Sequence, residues 1–261
     1  MINIKNKEEI KKMKKGGRIL ADVMKKLLKI TQVGTTEEDI ENLADKLIIE
    51  KGAFPGFKRV KGYNWATCIS TNDEVVHGLP GKYVFKEGDV VCIDCGVFYE
   101  GFNTDMAETV EVKSHPSDSI KPRKLKVKNN DVNKFLETGR VALNNAIKQA
   151  VPGNRIGHIS KTIQEIVEKQ GYSIVRSLVG HGVGKDLHEQ PEIPGFVNRK
   201  LEDTPLLQEG MTLAIEVIYN MGKRDVKYSD DGWTIKTKDK SFSAVFEKTI
   251  LVEKSRPIVL T

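Results

Sequence analysis

The stretch that decides the fold is VVCIDCGVFYEGFNTDMAETVEV, residues 90–112. It contains two runs rich in Val, Ile, Phe and Thr, separated by turn-prone residues from Tyr99 to Asn103. Such a pattern predicts a β-hairpin. The hairpin would bring Asp94 and Asp105 to face one another. Asp94 lies inside an otherwise apolar run, where an isolated charge is costly unless it is paired or metal-bound.

Upstream, apolar residues at Ile10, Met13, Leu20, Met24, Leu27 and Leu28 follow a 3.6-residue period and predict a helix over 7–30. The Thr36 to Asp39 spacing can form a capping box, and Ile40, Leu43, Ala44, Leu47 and Ile48 continue a second helix to Gly52. Short apolar runs around Cys68 and around Val75 and Val76 read as strands, with His77 ending the second just before Gly78. Downstream, the periods of Val132 to Ile147 and of Ile156 to Ile166 predict two more helices. SIVRSLVGHGVG, MTLAIEVIYN and SFSAVFEKTILVE then return to strand-like runs. The whole reads as an α+β chain whose helices cover one side of a curved, mostly antiparallel sheet. Helices followed by acid-bearing strands recur in both halves, a weak internal echo with ordinary alternation of elements as its alternative.

Composition limits the function classes. The chain has 261 residues, of which 39% are hydrophobic, enough for a substantial core. The net charge is +6. Segment 113–134 alone carries seven Lys and Arg against Asp118 and Asp131, which leaves +5 in a basic connector. It lacks interleaved aromatics, so sequence-specific nucleic-acid binding is not expected; a solvated connector or a contact with ribosomal RNA is. Three cysteines are too few for a disulfide scaffold, and no run approaches a membrane span or a signal core. A cytoplasmic protein with no integral membrane association is expected. The CxxC spelling of Cys92 and Cys95 lies in a strand and reads as buried cysteine. His158 and His115 read as locally bonded or solvent-facing. GHGVG lacks the residues of a phosphate loop.

Four acids remain: Asp94 and Glu216 within apolar runs, Asp105 and Glu247 in less apolar strands. Each alone also fits an exposed or Lys-paired position. Together with His181 they would suit two adjacent divalent ions, because bridging carboxylates offset the repulsion between the cations.

These residues fall in an ordered set of motifs. DCGVFYEGFNTD (94–105), GHGVGKDLHE (180–189), GMTLAIE (210–216), SFSAVFE (241–247) and EVVHGLP (74–80) together resemble a bacterial-like type I methionine aminopeptidase, from the first helix to about Val252. The resemblance implies a single catalytic domain over 1–261 with the pita-bread fold: external helices, a strongly curved antiparallel sheet and two related halves. It implies metal-dependent removal of the initiator methionine from nascent proteins and peptides, preferably before a small second residue, through a metal-activated water. Asp94 would hold one metal, Asp105 and Glu247 would bridge both, and His181 with Glu216 would complete the other. The ions would be Co, Mn, Fe or Zn. Glu216 would accept or relay the water proton, His188 would stabilise oxygen charge, and His77 would position the peptide nitrogen. Cys68, Tyr63 and Trp233 would surround the thioether, supported by Leu187 and Ile218; Leu187 stands where the family often has an aromatic residue. A monomer acting on nascent chains, near the ribosome, is expected. An aminopeptidase or dipeptidase of other preference, and a non-catalytic peptide- or ribosome-binding protein, are the alternatives.

Overall fold

Asn6 starts the first helix. Its side chain accepts from the Glu8 and Glu9 N–H groups, and the Glu9 carboxylate returns to the Asn6 N–H, so three orphan donors are satisfied before α1 (Lys7–Ile30) begins. Thr36 and Asp39 form the expected capping box of α2 (Glu37–Glu50). The computed structural model describes residues 2–113 and 129–261. Five strands follow α2: β1 (Phe54–Pro55), β2 (Thr67–Thr71), β3 (Glu74–Val76), β4 (Val90–Tyr99) and β5 (Phe102–Glu111). After α3 (Asn129–Lys148) and α4 (Ile156–Lys169) come β6 (Ser173–Ile174), β7 (Val179–Gly182), β8 (Glu189–Pro194), β9 (Thr212–Asn220), β10 (Val226–Tyr228), β11 (Ile235–Thr237), β12 (Ser243–Leu251) and β13 (Ile258–Val259). Two helices and then strands thus occur twice.

All strand pairings are antiparallel. In the first half β5 pairs with β4, and β1 and β2 pair with β4 as well. The second half orders β13-β12-β9-β7-β8, with β6 on β9, while β10-β11-β3 form a small third sheet. The two-residue period of a strand then sorts the side chains. Val91, Ile93, Cys95 and Val97 of β4 pack with Leu20, Met24 and Ile40 beneath α1 and α2. Leu213, Ile215, Val217 and Tyr219 of β9 pack with Phe135, Leu143 and Ile163 beneath α3 and α4. Removing a fully buried side chain such as Leu20 would cost about 2–5 kcal/mol. The alternate positions, Asp94 and Glu216 among them, are left to the opposite face. This is the mixed α+β, helix-flanked curved sheet of the pita-bread fold.

The central hairpin forms as expected, turning at Glu100 and Gly101, both in the left-handed region with φ of 46° and 93°. Its register puts Asp94 opposite Ala107 and Asp105 opposite Gly96, so the two acids share a face, two residues apart, and their carboxyl groups meet. The basic segment is also shorter than expected: its last residues, 129–134, already belong to α3. His115 and most of the basic connector, residues 114–128, lie outside the described residues.

Threonines, not a backbone ladder, stitch β5 to β12. The Thr249 hydroxyl accepts from the Asp105 N–H and donates to the Asp105 carbonyl, both at 2.8 Å. Thr109 makes the same pair of bonds to Val245 in the opposite sense, at 2.9 and 2.7 Å. The seam therefore has a local twofold character, in which Thr109 and Thr249 exchange roles.

Candidate active site

Asp94, Asp105, Glu216 and Glu247 project from β4, β5, β9 and β12 into one cavity of about 140 Å³, which His77, His181 and His188 also line. Glu216 and Glu247 are direct cross-strand neighbours. Ligating atoms of Asp105, His181 and Glu247 lie within 4.8 Å of one another, and all three residues are buried. His181 Nε2 is 3.6 Å from Glu216 Oε1. Its Nδ1 is 2.9 Å from the Gly182 carbonyl, which suits an Nδ1–H donor and leaves the Nε2 lone pair facing the carboxylates. Gly180 and Gly182 make the approach of this strand feasible, because side chains there would collide with the Ala214 and Gln190 carbonyls.

The electrostatics show what the cluster lacks. Burial, and then the charges of neighbouring acids, raise Asp94, Glu216 and Glu247 well above the usual carboxylate range. Burial raises Asp105 to about 7. Desolvation, and then the nearby His188, lower His181 to about 4, keeping a neutral imidazole. Among the described residues, Asp94 Oδ1 and Glu247 Oε1 are buried without a hydrogen-bond partner. Four crowded acids, two orphaned oxygens and a neutral histidine nitrogen form a hard-oxygen donor set with one borderline nitrogen, which divalent cations satisfy. The residues present fit the metals the motifs imply.

The remaining histidines stand at the rim. His77 directly follows β3 with φ at 57°, an uncommon conformation for a side-chain-bearing residue, and Gly78 follows because any side chain there would strike the Ile69 carbonyl. Burial and then His188 lower the His77 pKa, and burial lowers that of His188. The His188 ring meets that of His181 edge-on, centroids 4.4 Å apart.

One wall of the cavity is apolar. Tyr63, Cys68, Leu187 and Trp233 line it. Tyr63 packs edge-on against Trp233 at 5.0 Å, and its hydroxyl donates to the Thr67 carbonyl at 2.8 Å, with Cys68 Sγ at 3.1 Å. Ile218 does not join this lining: it packs against Val75, Val76 and Val245, which do. Phe57, Val60, Val75, Val76 and Val245 line the cavity without having been singled out in the sequence. Nothing local marks them, since each sits in an ordinary apolar run. Glu41 of α2 was equally silent. Its carboxylate accepts from the Ala66 and Thr67 N–H groups and the Thr67 hydroxyl at 2.6–2.9 Å, holding the start of β2 beside Cys68. All three cysteines are buried and free, and His158 caps α4 by accepting from the Arg155 N–H at 2.9 Å.

Comparison with known proteins agrees with this geometry. The description "Metallopeptidase family M24" applies to residues 11–254. A methionine aminopeptidase of Clostridium perfringens is 38% identical over 100% of this chain and 99% of its own. The crystal structure of the Thermotoga maritima methionine aminopeptidase has a TM-score of 0.91 at 40% identity, covering 100% of this chain and 99% of its own. That of the Rickettsia prowazekii methionine aminopeptidase has 0.91 at 30%, covering 100% of both. With its buried acids and His181 gathered on this scaffold, the chain belongs to metallopeptidase family M24 and, within it, to the methionine aminopeptidases.

Proposed function

We propose that the chain removes the initiator methionine of nascent proteins and peptides, preferably when the second residue is small, using two divalent cations. The observation that carries this is the pair of partnerless buried oxygens, on Asp94 and Glu247, beside an apolar wall of Tyr63, Cys68 and Trp233. Asp94 would hold one cation, Asp105 and Glu247 would bridge both, and His181 with Glu216 would complete the other. When bound, the cations supply Lewis acidity toward water and the scissile carbonyl. Glu216 would accept or relay the proton of the attacking water. His188, at the rim, donates to the oxygen on which charge develops, and His77 orients the nitrogen beyond the cleaved bond. Tyr63, Cys68, Leu187 and Trp233 receive the thioether, a flexible and polarisable group suited to aromatic and sulfur contacts. Co, Mn, Fe and Zn all accept this donor set.

Among the described residues no helix is long and apolar enough to cross a membrane. A cytoplasmic monomer that meets nascent chains near the ribosome is part of this reading, without sequence-specific nucleic-acid binding. The deciding experiment assays peptides beginning Met-Ala, Met-Leu and Ala-Pro with metal-stripped and metal-restored protein. Free methionine is expected from the first alone, and only with metal. Cleavage of Ala-Pro in its place would favour a dipeptidase of other preference, and no hydrolysis with any of the four metals would favour a non-catalytic binder.

A further inference from the structure

Glu189 opens β8 directly after His188, and its partner comes from the far end of the chain. Lys5 Nζ lies 2.6 Å from Glu189 Oε2 across 184 residues, with the two side chains only 4% and 3% exposed. Lys5 precedes α1, and its backbone N–H is itself held, donating to the Gly210 carbonyl at 2.9 Å. Its ammonium also donates to the Asn3 carbonyl at 3.3 Å. The second Glu189 oxygen accepts from the Asp186 N–H at 3.3 Å. Ammonium and carboxylate together lie over Gly184, where any side chain would collide with both.

The loop between β7 and β8 is gripped from its other side as well. Asn103, two residues before Asp105 on β5, donates through its backbone N–H to the Gly184 carbonyl at 2.7 Å. Its side-chain amide donates to the Gly184 and Lys185 carbonyls, both at 3.0 Å. A short loop carrying Leu187 and His188 into the cavity is thus clamped between a metal-ligand strand and the segment ahead of α1. Buried ion pairs are weak contributors to net stability, since desolvation offsets their attraction. What a short, buried, charge-assisted hydrogen bond adds over apolar packing is direction. Here the direction is imposed on the residue covalently next to His188.

We propose that Lys5 is a positioning residue for catalysis, which through Glu189 fixes where His188 stands in the active site. The proposal rests on the role given to His188 above, and the experiment separates the two. Lys5→Met keeps the length of the side chain and removes its charge. With the metal-loaded protein and a Met-Ala peptide, its kcat should fall about 10- to 100-fold, the scale on which small misplacements of a reacting group act. The Mn²⁺ affinity measured by calorimetry should remain near wild type, because Lys5 and Glu189 touch none of the metal ligands, and kcat should change by more than KM, although Leu187 rides on the same loop. The discriminating comparison is the double variant. In a His188→Ala background, Lys5→Met should lower kcat no further, since nothing remains to be positioned. Wild-type kcat in folded Lys5→Met, or losses that multiply in the double variant, would overturn the proposal. If Lys5→Met does not fold, Glu189→Gln, which keeps a neutral acceptor, makes the same comparison. A fully active His188→Ala would instead remove the His188 assignment itself, and the proposal with it.

Discussion

Thr249 holds Asp105 by both of its backbone groups, accepting from the N–H and donating to the carbonyl at 2.8 Å each. Asp105 therefore stands at the seam of the two sheets, on an edge of β5 that no backbone ladder pairs. Replacing Thr249 with Val keeps the shape and strands both backbone groups away from water. At about 1–3 kcal/mol for each unsatisfied group, a loss of at least about 2 kcal/mol is expected. Urea unfolding checks that figure, and calorimetry should show weaker metal binding than in Thr249→Ser, which keeps the hydroxyl.

Asp105→Ala and Glu247→Ala remove the two carboxylates placed to bridge the cations. Each should lower metal affinity and activity by more than about 100-fold while the helix-facing core stays intact. Metal titration combined with circular dichroism measures both. Unchanged binding of two ions by a folded variant would reject the assignment.

His188→Ala should behave differently. With the ligand set untouched, metal affinity is retained, while kcat drops by about 10²–10³-fold if the ring donates to developing oxygen charge. Steady-state kinetics at saturating metal reads this directly.

The metal-free protein should grow less stable as pH rises. Burial raises Asp105 to about 7 in the folded state against 3.8 ordinarily, and burial, followed by the charges of neighbouring acids, raises Asp94, Glu216 and Glu247 well above their usual range. Through these acids the folded state holds more protons than the unfolded one, and they outnumber the three histidines, His77, His181 and His188, whose lowered pKa values act in the opposite sense. The stabilisation is fully present below the unfolded pKa and is lost as pH climbs through the folded values. The metal-free Tm should be higher near about pH 5.5 than near about pH 7.5, and added metal should raise it most at the higher pH. Glu37, raised to about 7 chiefly by burial, contributes a slope that metal does not relieve, so the gap should narrow rather than vanish. A metal-free Tm that increases over this range would contradict the raised values.

Glu41→Gln tests the apolar wall from behind. The amide must turn a donor toward the Ala66 N–H or the Thr67 groups, loosening the strand beside Cys68. KM for Met peptides should rise about fivefold, with kcat less affected, at roughly 1–3 kcal/mol of stability for the broken carboxylate bonds.

Much of this protein was determined locally and could be read without coordinates. The first helix over 7–30, the Thr36 capping box, the hairpin at 90–112 and the isolation of Asp94 and Glu216 in apolar runs all follow from interactions spanning a few residues, which sequence records as period and spacing. The ligand set was legible because its motifs keep their order along the chain. What only the tertiary structure decided depends on register and on partners far apart in sequence. The hairpin register set Asp94 two residues away from Asp105, and Ile218, two residues along β9 from Glu216 and on the same face, packs against Val75, Val76 and Val245 at the side of the cavity instead of lining it. Thr109 and Thr249 close the seam between the halves, Glu41 reaches the start of β2 from α2, and Lys5 meets Glu189 across 184 residues. No local pattern encodes such pairs, because a hydroxyl, a carboxylate or a lysine looks the same in sequence whether it faces water or a buried partner. Folding brings them together, and it is these contacts that hold the ligands and the histidines in place.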